Sequence, residues 1–180
     1  MDEFWVFGYG SLMWNPGFPY SERVHARASG YRRALCVRSW VHRGTQDSPG
    51  LVLGLDRGGS CLGVAFKVEA GDWAGTLDYL RARELVTHVY VERTMPIALA
   101  GGRRVRALTY VVDRGHRQYA GAITIAEAAE TVRHAAGQSG PNRDYVDNTL
   151  SHLRDMGIRD HWLEEVSAEI ARSVSAPIDY

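Results

Sequence analysis

The sequence predicts an α+β fold, with a mixed or antiparallel sheet curled into a small β-barrel and helices packed around it. Three observations carry this. Short β-rich runs separated by glycine-rich turns fill the first two-thirds of the chain. A single helix-period segment interrupts them, and three helix signals follow one another in the last third. There is no linker, internal repeat or low-complexity tract, so one domain spanning residues 1–180 is expected. A chain of 180 residues can bury roughly 70% of its unfolded surface.

The first strand is the apolar run Trp5-Val6-Phe7. It breaks into Gly8-Tyr9-Gly10-Ser11, where missing Cβ atoms allow a sharp bend, and Asn15-Pro16-Gly17 closes the segment as a turn. Such a bend either presents successive N–H groups as an anion-binding nest or is an ordinary strand-to-loop turn. Arg23 to Ser29 and Tyr31 to Trp40 read as two extended segments broken at Gly30, and His42 to Pro49 as a polar loop. Gly50 to Leu55 and Cys61 to Val68 are two more strands, with Asp56-Arg57-Gly58-Gly59-Ser60 as the hairpin turn between them. A helix follows with Asp72 as its N-cap, running to about Val86. Strands Val89 to Leu99 and Arg103 to Asp113 join at Gly101-Gly102. Thr124 and Glu127 form a capping box that opens a helix ending near Gly137. Pro141 fits the first turn of a helix that stops at Gly157. The last helix starts near Asp160 and carries Trp162, Val166 and Ile170 on one face.

Composition narrows the function classes. Twenty-one Lys plus Arg balance 21 Asp plus Glu, so the basic footprint of a nucleic-acid binder is absent. No apolar run approaches the ~18 to 20 residues of a membrane span, and no signal peptide precedes the first strand. Cys36 and Cys61, each in an apolar strand, fit buried thiols in a reducing cytoplasm. The seven histidines show no metal-site spacing, so no metal is expected. Met13 stands where a dinucleotide fingerprint needs its third glycine, and no G-x-S-x-G elbow surrounds Ser11. Hydrogen bonding or loop capping is therefore the role of Ser11.

The helix after the hairpin holds the most informative residue. Trp73, Leu77 and Leu80 form a core-facing stripe, and the next position on it is Glu84. A carboxylate aimed inward has its pKa raised from ~4.3 and becomes a candidate proton carrier near neutral pH; pairing with one of the many arginines is the alternative. His42 and Arg43 are either ligands for a substrate carboxylate or solvated loop charge. Tyr145 is either a core-edge aromatic or a phenol that binds a ligand.

Phe7-Gly8-Tyr9-Gly10-Ser11-Leu12-Met13-Trp14-Asn15-Pro16-Gly17-Phe18 resembles the opening motif of the ChaC family, the glutathione-specific γ-glutamylcyclotransferases. Further segments fall in the same order: Ser39 to Thr45, Pro49-Gly50, Cys61 to Phe66, Arg83-Glu84, and Ser139 to Tyr145. Together they span about residues 4 to 165. The resemblance implies a γ-glutamyl cyclotransferase-like fold and an intramolecular reaction. The substrate's α-amino group attacks its own γ-carbonyl carbon, releasing 5-oxoproline and, from glutathione, cysteinylglycine. It implies Glu84 as general base and acid, and Phe7, Gly8, Tyr9, Gly10, Ser11 and Leu12 as the segment holding the γ-glutamyl group. Tyr145 would hydrogen-bond that group. No cofactor is implied, because the nucleophile is on the substrate. Cyclisation of another γ-glutamyl amine or amino acid stands as the alternative. A non-catalytic cation-transport regulator, suggested by the family name, is the reading from another class.

Overall fold

A computed structural model describes residues 3–174. The ends of the expected 1–180 domain, residues 1–2 and 175–180, lie outside the described residues. Five strands close a barrel in the order β1-β3-β2-β4-β5: β1 Phe4–Gly8, β2 Glu22–Ser39, β3 Gly50–Val68, β4 Tyr90–Leu99 and β5 Arg104–Val112. β1 runs antiparallel to β3, with Phe4 opposite Val68 and Gly8 opposite Val64. It runs parallel to β5, with Trp5 opposite Ala107 and Val6 opposite Leu108. That parallel pair closes the ring and makes the sheet mixed.

The chain divides into two compact units. One takes the described residues up to Arg33 together with Gly54–Arg117, and the other takes Ala34–Leu53 together with those from Gln118 onward.

In the first unit, Trp5, Val6 and Phe7 are all buried. Burial on consecutive positions means that both faces of β1 are covered, so the strand reads as a continuous apolar run rather than an alternating one. Helix α1 (Ala70–Glu84) supplies part of that cover, Trp73 stacking on Phe4 with ring centroids 4.9 Å apart. The predicted stripe is real: Leu80 is fully buried, and Trp73, Leu77 and Glu84 are half-buried along the same face. Burying Leu80 alone contributes about 2 kcal/mol.

Several boundaries are corrected. The N-cap of α1 is Glu69, and Asp72 lies in its first turn, where a carboxylate suits the positive end of the helix dipole. The helix ends at Glu84 rather than Val86, which is 73% exposed. β2 is one strand, bending at Gly30 with φ 86° instead of breaking there. β3 is also continuous through Asp56–Ser60, so the expected hairpin turn is a kink within a 19-residue strand, with Gly58 and Gly59 at φ 101° and 66°. Asp56 is buried at this kink. Its carboxylate accepts the Arg57 N–H and Arg114 Nε, both at 2.8 Å, and sits 3.5 Å from Arg32.

The second unit gathers three helices, α2 Ile125–His134, α3 Asn142–Asp155 and α4 His161–Val174. The Thr124–Glu127 capping box of α2 is present, and the helix stops at His134 because Ala136–Gly137 (β6) pairs with Gly140–Pro141 (β7). That pairing puts Pro141 at the N-cap of α3 in an extended conformation, one residue before the helix, rather than in its first turn. The stripe that α4 buries is Leu163, Val166 and Ile170, with Trp162 at its half-buried edge. Cys36 and Cys61 are both buried and unbridged. No helix among the described residues is long and apolar enough to cross a membrane.

Candidate active site

Where β1 ends, the chain turns through a single 3-10 turn, Ser11–Met13. Met13 N–H donates to the Gly10 carbonyl at 2.9 Å, and Asn15 N–H to the Ser11 carbonyl at 2.8 Å. The N–H groups of Gly10, Ser11 and Leu12 precede the first closed turn and have no intrahelical acceptor. Two devices fix their direction. At Gly63 of β3, a Cβ would lie 2.3 Å from the Gly8 carbonyl oxygen, so only glycine lets β3 approach the end of β1 this closely. From β2, Arg33, 7% exposed, donates Nε to the Tyr9 carbonyl and Nη2 to the Leu62 carbonyl, both at 2.6 Å. In a trans peptide the N–H points opposite to the C=O. Holding the Tyr9 carbonyl toward Arg33 therefore aims the Gly10 N–H away from that buried cation.

Of the predicted loop residues, Phe7, Gly8, Tyr9 and Leu12 are buried, Gly10 is half-buried and Ser11 is exposed. The Phe7 side chain is core, and its carbonyl accepts the Thr109 hydroxyl at 3.0 Å. Phe7, Gly8 and Leu12 thus shape the loop from beneath, while the backbone of Gly10 and the Ser11 hydroxyl form its outer edge.

Glu84, at the last turn of α1, is 18% exposed. Burial pushes its carboxyl pKa up, and the Arg83 guanidinium, whose Nε is 3.4 Å from Oε1, partly opposes that rise. Glu84 is thus both desolvated and paired with an arginine, with desolvation the larger effect. Arg83 also reaches the loop: Nη2 donates to Ser11 Oγ at 2.8 Å, and Nη1 to the Asn15 carbonyl at 2.6 Å and Tyr79 Oη at 3.0 Å. On β5, Tyr110 is buried and donates its hydroxyl to Glu92 at 3.1 Å, while Arg81 grips Glu92 with two bonds of 2.9 Å. Burial and the neighbouring carboxylates Glu92 and Glu84 raise the Tyr110 pKa, so the phenol stays neutral.

Tyr145 belongs to the second unit. Its phenol oxygen accepts the Leu53 N–H at 3.0 Å, which leaves its hydroxyl hydrogen directed elsewhere. Two residues of the polar loop join it there. His42 Nδ1 lies 2.9 Å from Ser139 Oγ, and Arg43 donates to the Pro141 carbonyl at 3.2 Å with its guanidinium 5.8 Å from the Tyr145 ring. Neither is simply solvated loop charge.

Sequence reasoning missed Arg33, Tyr79 and Tyr110. Arg33 left a trace: in β2 it shares its parity with the buried Leu35 and Val37, so alternation alone turns it inward. Tyr79 left only its helical i,i+4 spacing from Arg83, and Tyr110, an ordinary strand aromatic whose partner Glu92 lies on another strand, left none.

The architecture is that of the γ-glutamyl cyclotransferases. It superposes on the crystal structure of a γ-glutamyl cyclotransferase specific to glutathione from yeast with a TM-score of 0.83, at 21% identity, covering 96% of this chain and 97% of that one. The sequence goes further: the ChaC-like protein family matches residues 4–173, and the chain belongs to that family. It is 32% identical over 168 residues to the glutathione-specific γ-glutamylcyclotransferase of Escherichia coli (strain K12), covering 93% of this chain and 73% of that protein. It is 31% identical over 184 residues to γ-glutamylcyclotransferase 2-3 of Arabidopsis thaliana, covering 95% and 90%.

Proposed function

We propose that this protein is a lyase that cleaves glutathione to 5-oxoproline and cysteinylglycine, with Glu84 as the proton carrier. The observation that supports this most is a desolvated carboxylate at the end of α1, joined through one arginine to the glycine-rich loop. Raising a carboxyl above its usual range moves it in the direction that favours proton exchange at higher pH.

The reaction exchanges one C–N bond for another and takes two protons off the α-nitrogen, which begins as an ammonium and ends as a lactam N–H. Glu84 takes a proton from the substrate α-ammonium, freeing the lone pair to attack the γ-carbonyl carbon. The new C–N bond closes the five-membered ring. The old amide C–N bond breaks as Glu84 returns its proton to the leaving nitrogen of cysteinylglycine. The second proton shed by the ring nitrogen passes through solvent to the released amine, which leaves as an ammonium. Holding the γ-glutamyl group so that its amine faces its own carbonyl supplies the proximity term, and the Gly10 N–H, aimed away from Arg33, is suited to the oxygen that gains charge. Accepting from Arg83 leaves the Ser11 hydroxyl hydrogen to donate to substrate. Tyr145 enters on the family motif as a hydrogen-bonding group for the glutamyl moiety. We assign the enzyme to the cytoplasm, which its two buried, unbridged cysteines support.

The test is incubation with reduced glutathione beside a panel of γ-glutamyl amino acids and amines, with products identified by mass spectrometry. 5-Oxoproline and cysteinylglycine in equal amounts, with slower or no turnover of the panel, is the expected result. Turnover of a panel member in preference to glutathione would reassign the substrate, and no product from any of them would overturn the reading.

A further inference from the structure

Arg83 is 20% exposed, yet its guanidinium touches the loop, the turn after it, its own helix and the carboxylate beside it. Nη2 holds Ser11 Oγ at 2.8 Å. Nη1 holds the Asn15 carbonyl at 2.6 Å and Tyr79 Oη at 3.0 Å, with the Pro16 carbonyl at 3.4 Å, and Nε lies 3.4 Å from Glu84 Oε1. We propose that Arg83 is the positioning residue of this site, one rigid fork that sets the Ser11 loop and the Glu84 carboxylate in register with each other. This rests on the reading of Glu84 as the proton carrier.

The chemistry of the side chain supports the assignment. A guanidinium presents five N–H donors in one plane, so fixing one of its edges fixes the direction of the others. Ser11, Asn15 and Tyr79 fix the Nη edge, and the Nε edge then has one orientation toward Glu84. An ammonium is a point charge that can neutralise Glu84 but cannot span those partners together. The groups facing Glu84 are Arg83 beside it and Tyr110 from β5; Glu92 of β4 and Arg81 engage Tyr110 and each other. With Tyr110 neutral, Arg83 is the charge that draws the Glu84 carboxyl back toward its ordinary range.

The experiment compares native protein, Arg83→Met, Arg83→Lys, Ser11→Ala and Arg83→Met/Ser11→Ala. The readouts are kcat, KM and the pH dependence of kcat with reduced glutathione, with Glu84→Gln run in parallel. Arg83→Met is expected to lower kcat about 10- to 100-fold, the scale of a misplaced reacting group, and to move the acid limb to higher pH. Arg83→Lys returns the limb toward its native position while kcat stays low. Ser11→Ala costs less on the Arg83→Met background than on the native one. Native kcat in Arg83→Met, or a lowered kcat with an unmoved acid limb and additive Ser11→Ala effects, would overturn the proposal. Should Arg83→Met fail to fold, Arg83→Lys decides it, native kcat there being the contradicting result. An active Glu84→Gln would instead sink the reading of Glu84, independently of the arginine variants.

Discussion

Burial pushes the Glu84 carboxyl above the ordinary carboxylate range, and the Arg83 contact at 3.4 Å only partly offsets that. The consequence for stability has a definite sign. A carboxyl whose pKa is higher folded than unfolded favours the fold only while it is protonated; that favour is lost as pH rises through the folded pKa. At neutral pH Glu84 therefore weakens the fold. Replacing it with glutamine is expected to stabilise the protein by about 1 kcal/mol at pH 7, the usual scale of a function-for-stability exchange, and the gain should shrink toward zero below pH ~4. Thermal unfolding of both proteins across that range checks it; a lower Tm for the variant at pH 7 would contradict it. Glu84 was legible because its spacing from Trp73, Leu77 and Leu80 is helical, so one stripe predicts both its burial and its raised pKa. The reach of Arg83 was not. Its loop partners lie 67 or more positions upstream in the chain, and no local pattern encodes that distance.

At the scale of elements, the start of α3 docks on β3 through hydrogen bonds that imitate a sheet. Asn142, fully buried, accepts the Leu51 N–H and donates to the Leu51 carbonyl, each at 2.8 Å, and Tyr145 one turn later accepts the Leu53 N–H. Removing the amide would strand two buried backbone groups, each worth roughly 1–3 kcal/mol. Asn142→Ala is thus expected to destabilise the protein by about 2–4 kcal/mol, read from the midpoint of urea unfolding at unchanged m-value. A loss under 0.5 kcal/mol would contradict the docking role. The sequence motif around Pro141 pointed at this region, but the short β6–β7 pair that fixes the helix start is two residues per strand, too brief to show as periodicity. The Asp56–Ser60 segment misled for the opposite reason. Its composition is that of a tight turn, and the ion pairs of Asp56 with Arg114 and Arg32 hold it as a bend within a long strand. Long-range pairing overrode local preference.

At the scale of the molecule, fold class was readable from the order of elements, because β-rich runs followed by helices leave few ways to cover a sheet on both faces. The barrel's closure was not readable, since the parallel pairing of β1 with β5 joins segments a hundred residues apart. That closure gives the account its coherence: it fixes β1, whose end carries the glycine-rich loop, and α1 packs on the same strand and ends at Glu84. The most direct test of the central claim is turnover of reduced glutathione by native protein and Glu84→Gln, following 5-oxoproline at matched enzyme concentration. The account predicts a folded variant whose turnover falls by at least ~10²-fold, the lower end of what positioned acid–base catalysis contributes. A variant within a few-fold of the native rate would show that the proton travels by another group.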